Sequence, residues 1–571
     1  MTDYLASGLL GMSATRVDLR LAAALGELDI NPVTFEPCQS VNYGGVFFIL
    51  PFLLANGLLT YRDYYPEREY GYYSFDTAIL TISFMYLCRI KSIEQLKHHS
   101  SGEFGKLLGL DRIPEARCLR GLFRELGQHR QASAWNAGLA EEWIGNEAPG
   151  IYYIDGHVQV YHGHLANLGK KHISRQRLCL PGMMEFWVNN ADGLPYFFIT
   201  GQVNEKLQEI LVTGIIPRLN EFPAAGKATH DLLEDPLLPR YTLVFDREAY
   251  SPKLFGELWD TQQIAVITYR KNVKNLWDEA EFTDHKVETE MGSTIMYLQE
   301  KEVELDGVKM REVRKLNDGG HQTSVLTTNR KLSIVMIALY MFSRWAQENF
   351  FRYMRQEYDI DRIVQYGVDK LDNNIKVVNR EYSNLTYRLK KIREKIARRK
   401  AKLFTLEEEN IKSGMSRTSQ NMKAQLELRE EIEYIEKEEK RLIKERKQQP
   451  YKICIGEMPE KTRYNKLKTE AKHLQNVIKM ICYRSETTLA NMLVPYYAKS
   501  KNEIRALVKS IIFSKADLMP DYQNDELTVT LYSLATQRDN MAIGKICCLL
   551  NETETIFPGT NLKLIFKTAT I

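Results

Sequence analysis

The sequence predicts a multidomain α/β protein, and three observations predict it. The chain has 571 residues, too many for one hydrophobic core and enough for about three to four domains. Its apolar periodicity changes along its length, from helical to alternating strand and helix and then to a charged helical stretch without proline. Its hydrophobic content of 44% and aromatic content of 10% are those of a globular protein, and its net charge of +4 is small enough that charge must be read locally.

The eight cysteines show no C-x-x-C spacing, which predicts free thiols in a reducing compartment and excludes a structural zinc framework. No basic stretch followed by an apolar core opens the chain. The apolar runs Val46–Leu59 and Leu332–Phe342 fall short of the roughly 18 residues that span a bilayer, so both are expected as buried helices and no membrane is expected as a partner. The absence of G-x-S-x-G, Walker and dinucleotide motifs argues against hydrolase, NTPase and dehydrogenase classes.

Residues 1–148 read as helical, with amphipathic Arg20–Leu28 and apolar Phe75–Ile90. Ser92–Leu96, a Gly-containing break and Glu115–Leu126 suit a helix-turn-helix unit. Its second helix carries Arg117, Arg120 and Arg124 opposite Leu119, Leu122, Phe123 and Leu126; the arginines suit a DNA groove or phosphates, and equally an ordinary solvated face. From residue 149 to 274 the order changes. Ile151–Val160, Leu178–Asn189 and Leu194–Thr200 read as a strand meander, followed by a helix at Asn204–Leu219, a strand at Tyr241–Phe245, a helix at Pro252–Gln262 and a strand at Ile264–Tyr269. That order is the order of a ribonuclease-H-like core. Residues 275–327 read as a β-rich insertion, and the core resumes over 328–370 with one long helix, Leu332–Tyr353.

Residues 374–447 predict an antiparallel coiled-coil hairpin. Val378, Tyr382, Leu385, Leu389, Ile392, Ile396 and Leu403 form a heptad seam on the first arm, and a Gly-Ser break at Ser413–Ser419 separates it from the second. Lys376–Lys402 holds eleven Lys/Arg against two Glu, a local +9. Such a run is either a solvated face or a contact with a phosphate backbone. Residues 450–571 read as a C-terminal α+β region with strands at Leu527–Tyr532 and Asn561–Phe566, and no chemistry is assigned to it.

Three carboxylates stand out. Asp155 interrupts the apolar strand Ile151–Val160, Asp246 ends the strand Tyr241–Phe245, and Glu348 lies in the helix after the second apolar run. A charge inside a buried strand needs a partner or a metal. In the expected fold the two aspartate strands are neighbours, and Glu348 would come from a helix packed across the sheet edge. Two divalent cations held by such a set serve phosphoryl transfer, and Mg²⁺ suits oxygen ligands. Arg344, Glu348, Arg352 and Arg355 share one helical face, which is either a polyanion contact or an ion-pair ladder. His157, His162 and His164 invite a zinc reading, but no second ligand group stands at metal-binding spacing. Glu248 and Glu185 are substitute carboxylates. Trp277 and Trp345 read as stacking platforms for a base or as core aromatics.

These contexts resemble the DDE transposases of bacterial insertion sequences, and more narrowly the group with a Tyr-Arg-Glu-Lys signature and a β-strand insertion between the second Asp and the Glu. Tyr340, Arg344, Glu348 and Arg355 stand in the places of that signature, with Tyr340 one residue too far from Arg344 and Arg355 replacing the Lys. Intervals of 91 (246 − 155) and 102 (348 − 246) residues fit, the second leaving room for the insertion.

The resemblance implies a ribonuclease-H-like catalytic core in which Asp155, Asp246 and Glu348 hold two Mg²⁺ (or Mn²⁺) ions. It implies DNA contacts from Arg344, Arg352, Arg355, Lys271 and His157, with Arg117 and Arg120 in a DNA-end-binding N-terminal region. It implies cleavage and strand transfer on the double-stranded DNA of element ends and target, in a homodimer or larger synaptic complex, in the cytoplasm and associated with the nucleoid. A ribonuclease-H-like nuclease without strand transfer and a non-catalytic, transposase-derived DNA-binding protein are the alternatives.

Overall fold

The computed structural model describes residues 13–569 except 29, 69, 174–176, 203–204, 274, 290–291, 343–344, 365–366, 413–418, 461–462 and 498–500. The chain forms two compact units, one of Met1–Tyr161, His172–Gln365 and Lys468–Ile571, the other of His162–Lys171 and Tyr366–Leu467.

A large mixed sheet organises the first unit. Nine of its ten strands are β1 (Ile151–Val160), β2 (Leu178–Asn189), β3 (Pro195–Gln202), β4 (Tyr241–Phe245), β5 (Ile264–Tyr269), β6 (Thr283–Thr289), β7 (Gly292–Leu305), β8 (Val308–Leu316) and β9 (Gln322–Thr327). They lie in the order β3-β2-β1-β4-β5-β9-β8-β7-β6. β1, β2 and β3 pair antiparallel as a meander, whereas β1, β4 and β5 are mutually parallel. The insertion is not a separate body: β9 pairs antiparallel with β5, so its strands prolong the sheet. β4 is buried along its whole length, as a strand covered on both faces must be.

The helices used below are α1 (Phe75–Leu87), α2 (Ala116–Gln128), α3 (Ala132–Glu147), α4 (Pro252–Gln262), α5 (Ile334–Phe342) and α6 (Trp345–Tyr358). They continue as α7 (Arg380–Lys412), α8 (Ser419–Gln448), α9 (Glu470–Leu493), α10 (Lys501–Phe513) and α11 (Gln537–Asn551). One sheet face buries Tyr152, Ile154, Leu243, Phe245 and Val266 in a core that includes Phe255 and Leu258 of α4. The alternate residues Tyr153, Val244, Ile267, Val313 and Val325 face Ile337 and Met341 of α5. The period-2 alternation of a strand divides these sets between the two faces.

Several elements depart from the sequence expectation. Within the helix expected over Leu332–Tyr353 the structure describes α5 (Ile334–Phe342) and α6 (Trp345–Tyr358), with residues 343–344 between them outside the described residues. The apolar run Val46–Leu59 is a 3₁₀ turn, Gly44–Ile49, followed by a short α-helix, Leu50–Ala55. The first helix ends at Leu25 on Gly26, whose φ of 75° stops it short of the expected Leu28. A four-stranded sheet pairs Cys38–Val41 with Ala516–Asp521, then Glu526–Leu531 and Lys563–Thr568, joining strands from opposite ends of the chain. Among the described residues one helical stretch, Gly44–Asp63, is long and apolar enough to cross a membrane, and 72% of its apolar window is buried in the fold.

In the second unit α7 and α8 run antiparallel, as shown by Arg393–Glu439 at 2.7 Å, Arg399–Glu431 at 2.9 Å and Arg429–Glu407 at 2.8 Å. Leu389 and Ile396 of α7 and Leu428, Ile432, Ile435 and Leu442 of α8 are buried. Val378, expected to open the helical seam, instead ends a short strand, Lys376–Val378, paired with Lys452–Cys454. A second short ladder, Val368–Lys370 with Asn465–Leu467, lies in the same unit.

Candidate functional site

Register puts two of the three expected carboxylates side by side. Ile154 of β1 lies opposite Phe245 of β4 in a parallel pair, so the next residues lie level, Asp155 midway along β1 and Asp246 just past the carboxyl end of β4. Asp155 follows Tyr153 by two residues and Asp246 follows Val244 by two. Both therefore continue the face that α5 covers. Both are half-buried. Asp155 accepts from the Gly156 amide at 2.9 Å and Asp246 from the Arg247 amide at 2.6 Å.

Glu348 is exposed in the first turn of α6, and its neighbours fix where that turn sits. Gln347 is buried and donates to the carbonyls of Tyr153 (3.3 Å) and Trp187 (3.4 Å) and to Asn189 Oδ1 (2.9 Å). Phe351, one turn on, stacks on His157 with centroids 4.9 Å apart and rings 10° from parallel. Gln347 thus holds α6 to the residue before Asp155 on its strand face, and Phe351 holds it to the residue after. The hairpin turn beneath adds a constraint: Gly193 has φ 85°, and a Cβ there would lie 2.9 Å from the Ala346 carbonyl oxygen. Among the described residues no group of three His, Cys, Asp or Glu lies close enough to hold a metal ion.

The remaining candidates are dispersed. Arg352 is exposed and Arg355 half-buried on α6, whereas Arg344 lies outside the described residues, as does the side chain of Trp345. His157 is 5% exposed and bonds Asp361 through Nε2, so reaching a phosphate would require Asp361 to give way. Lys271 follows β5 with its ammonium 5.7 Å from the Tyr250 ring centre. Arg117 and Arg120 are exposed on α2, and Arg120 pairs with Glu94. Glu248 is exposed in the turn after Asp246. Trp277 lies under Arg314, 4.1 Å from its ring centre to the guanidinium carbon. A basic cleft of about 610 Å³ opens beside Asp246, lined by Arg247, Tyr269, Arg270, Lys315, His321 and Phe342 among others. Arg247 sits 5.6 Å from the Tyr269 ring centre, and Arg270 is bonded to the buried Glu312.

The sequence did not reveal the polar core behind β1. Glu185, opposite His157 in the β1–β2 ladder, is fully buried and accepts from Asn476 Nδ2 at 2.7 Å and Trp187 Nε1 at 3.2 Å. Burial pushes its carboxyl up, against the pull of Lys472. Lys472 and Lys479 of α9 are buried and held down by desolvation; they donate to the carbonyls of Ile360 and Asp359 respectively. A second network holds the end of α6. Arg89 pairs with Glu357 (2.8 Å) and Glu486 (2.6 Å), Tyr353 donates to Glu486 (2.9 Å), and Lys509 pairs with Glu357 (2.9 Å). A signal was available, since Lys472, Lys479 and Glu486 recur every seven residues along one helix.

Sequence comparison agrees with this class of protein. A family model described as "Transposase protein" matches residues 11–570, and the chain belongs to that family. Membership implies interaction with DNA, because transposases are DNA-processing enzymes. No curated protein and no solved structure is matched.

Proposed function

We propose that the chain is a DNA transposase of the DDE type, built on a ribonuclease-H-like core, that cleaves the ends of its mobile element and joins them to target DNA. The observation that carries this reading is the in-register placement of Asp155 and Asp246 on one face of adjacent parallel strands, level with the carboxyl end of β4. The order β3-β2-β1-β4-β5, with a three-strand meander followed by two strands parallel to the first, supports the core assignment. In open α/β sheets ligands gather at the carboxyl ends of the strands.

Asp155, Asp246 and Glu348 would hold two Mg²⁺ (or Mn²⁺) ions. Such a pair supplies an activated water or 3′-hydroxyl and stabilises the leaving oxygen. The oxygen-only donor set and the shared face of the two aspartates fit hard cations. Arg352 and Arg355 carry positive charge along α6, the helix of Glu348, and Arg344 precedes them in sequence. Arg247, Arg270 and Lys315 line the cleft beside Asp246, where they would receive phosphates. His157 follows Asp155 by two residues, Lys271 follows the neighbouring strand β5, and Arg117 and Arg120 present charge from α2 to the element ends. The α7–α8 pair reads as an antiparallel coiled coil, and synapsis of two ends calls for a dimer or larger assembly.

Among the described residues no three His, Cys, Asp or Glu group closely enough to hold a metal ion, a feature that a non-catalytic, DNA-binding descendant of a transposase would share. Incubating the protein with duplexes carrying element ends, with Mg²⁺ and an acceptor plasmid, decides between the readings. Nicked ends and joined products are expected. Cleavage without joining would leave a nuclease, and intact ends under saturating binding would leave the DNA-binding reading.

A further inference from the structure

We propose that one outward face of α7 is a track for the phosphate backbone of duplex DNA, an inference that rests on the reading of DNA as the substrate. Arg388, Lys391, Lys395, Arg398 and Lys402 are all exposed and stand 3, 4, 3 and 4 residues apart, so they form a single stripe on a 3.6-residue helix. Their five positions span 14 residues, or about 21 Å at 1.5 Å per residue. That length covers about six steps of 3.4 Å along one DNA strand.

The distribution of acids separates this stripe from an ordinary ion-paired face. Glutamates of α8 meet the flanks next to the helix–helix seam, at Arg393–Glu439 (2.7 Å), Arg399–Glu431 (2.9 Å) and Lys400–Glu436 (2.7 Å). On the stripe itself, the ion pairs among the described residues are Lys391 with Glu394 at 3.0 Å and Lys395 with Glu431 at 3.7 Å. Five cations thus face outward against two acids, one of them shared with the seam. The outer face of α8 carries both signs, with exposed Glu430 and Glu433 followed by Lys437, Lys440 and Lys444. No stripe position is apolar, so the surface lacks the apolar centre of a protein interface. A hydrated polyanion is the partner it fits. Tyr387, 61% exposed and 5.8 Å from the Lys391 ammonium, adds an aromatic surface beside the stripe.

The test measures binding of the full-length protein to a random-sequence DNA duplex by fluorescence anisotropy across a KCl series. The variant R388Q/K391Q/R398Q/K402Q is expected to lose about 3 to 4 from the magnitude of the log–log salt slope, at about 0.9 per lost phosphate contact, and to bind at least about tenfold more weakly near 0.1 M salt. Its helical circular dichroism should match that of the unaltered protein. The charge-keeping variant R388K/K391R/R398K/K402R and the second-arm variant K437Q/K440Q/K444Q should keep both slope and affinity. An unchanged slope in the first variant, an equal loss in the second-arm variant, or a loss confined to duplex RNA would overturn the track. If the unaltered protein binds no duplex DNA, the transposase reading falls with it, which separates that failure from failure of the stripe alone.

Discussion

Asp155 and Asp246 owe their candidacy to a conflict within each residue's surroundings: each carries a charge at the point where an apolar strand would otherwise continue or close. Desolvating a carboxylate is costly, and adjacent parallel strands bring these two carboxylates to one place. Replacing either by Asn is expected to lower DNA cleavage by more than about a hundredfold, a loss that even changes behind the metal ligands can reach, with duplex binding retained in a gel-shift assay. Gln347 is a different case, since it positions α6 without chemistry of its own. Gln347→Ala removes the amide donor shared by Tyr153, Trp187 and Asn189. It should cost about 1–3 kcal/mol in urea denaturation, the cost of buried acceptors left unmatched. The aspartates were legible because the conflict is local. Gln347 and Asp361 were not, because their partners lie 194 and 204 residues away in sequence.

At the scale of elements, α6 is held at both ends, by Gln347 and Phe351 over β1 and by the charged network around Glu486 at its C-terminal end. Glu486 is fully buried between Arg89 and Arg505, so Glu486→Gln leaves cations without their partner and should cost about 3–5 kcal/mol in unfolding free energy. Glu357 supplies a pH signature. Burial opposes its charge, but Lys509 and Arg89 hold its carboxyl below the ordinary value of 4.5. A lowered folded value means its contribution is complete above pH 4.5 and fades as pH falls through that lowered value. Glu357→Gln should therefore narrow its stability gap from the unaltered protein as pH drops below 4.5, measured by thermal unfolding between pH 6 and 3, and a constant gap would remove Glu357 from that role. The bounds of β1, β2, β4, β5 and α4 were legible, because alternation, apolar runs and turn residues mark them. The short strands Lys376–Val378 and Lys452–Cys454 were hidden by the charged residues around them.

For the whole molecule, the insertion strands extend one sheet and the C-terminal strands close on Cys38–Val41. The sequence identified the insertion as β-rich but not its partner, because pairing of β9 with β5 is settled by the fold and not by local pattern. The chain belongs to a transposase family across nearly its full length, and the account of its chemistry makes activity depend on divalent cations. Chelation by EDTA should abolish cleavage while leaving duplex binding intact, and added Mg²⁺ or Mn²⁺ should restore it. The central claim, that Asp155, Asp246 and Glu348 act as one site, meets its most direct test at Glu348, the one of the three that comes from a helix. Cleavage of element-end DNA in Mg²⁺ by the unaltered protein and by Glu348→Gln, at equal DNA occupancy, is that measurement. Lost cleavage with retained binding is the predicted result, and full activity in Glu348→Gln would contradict it.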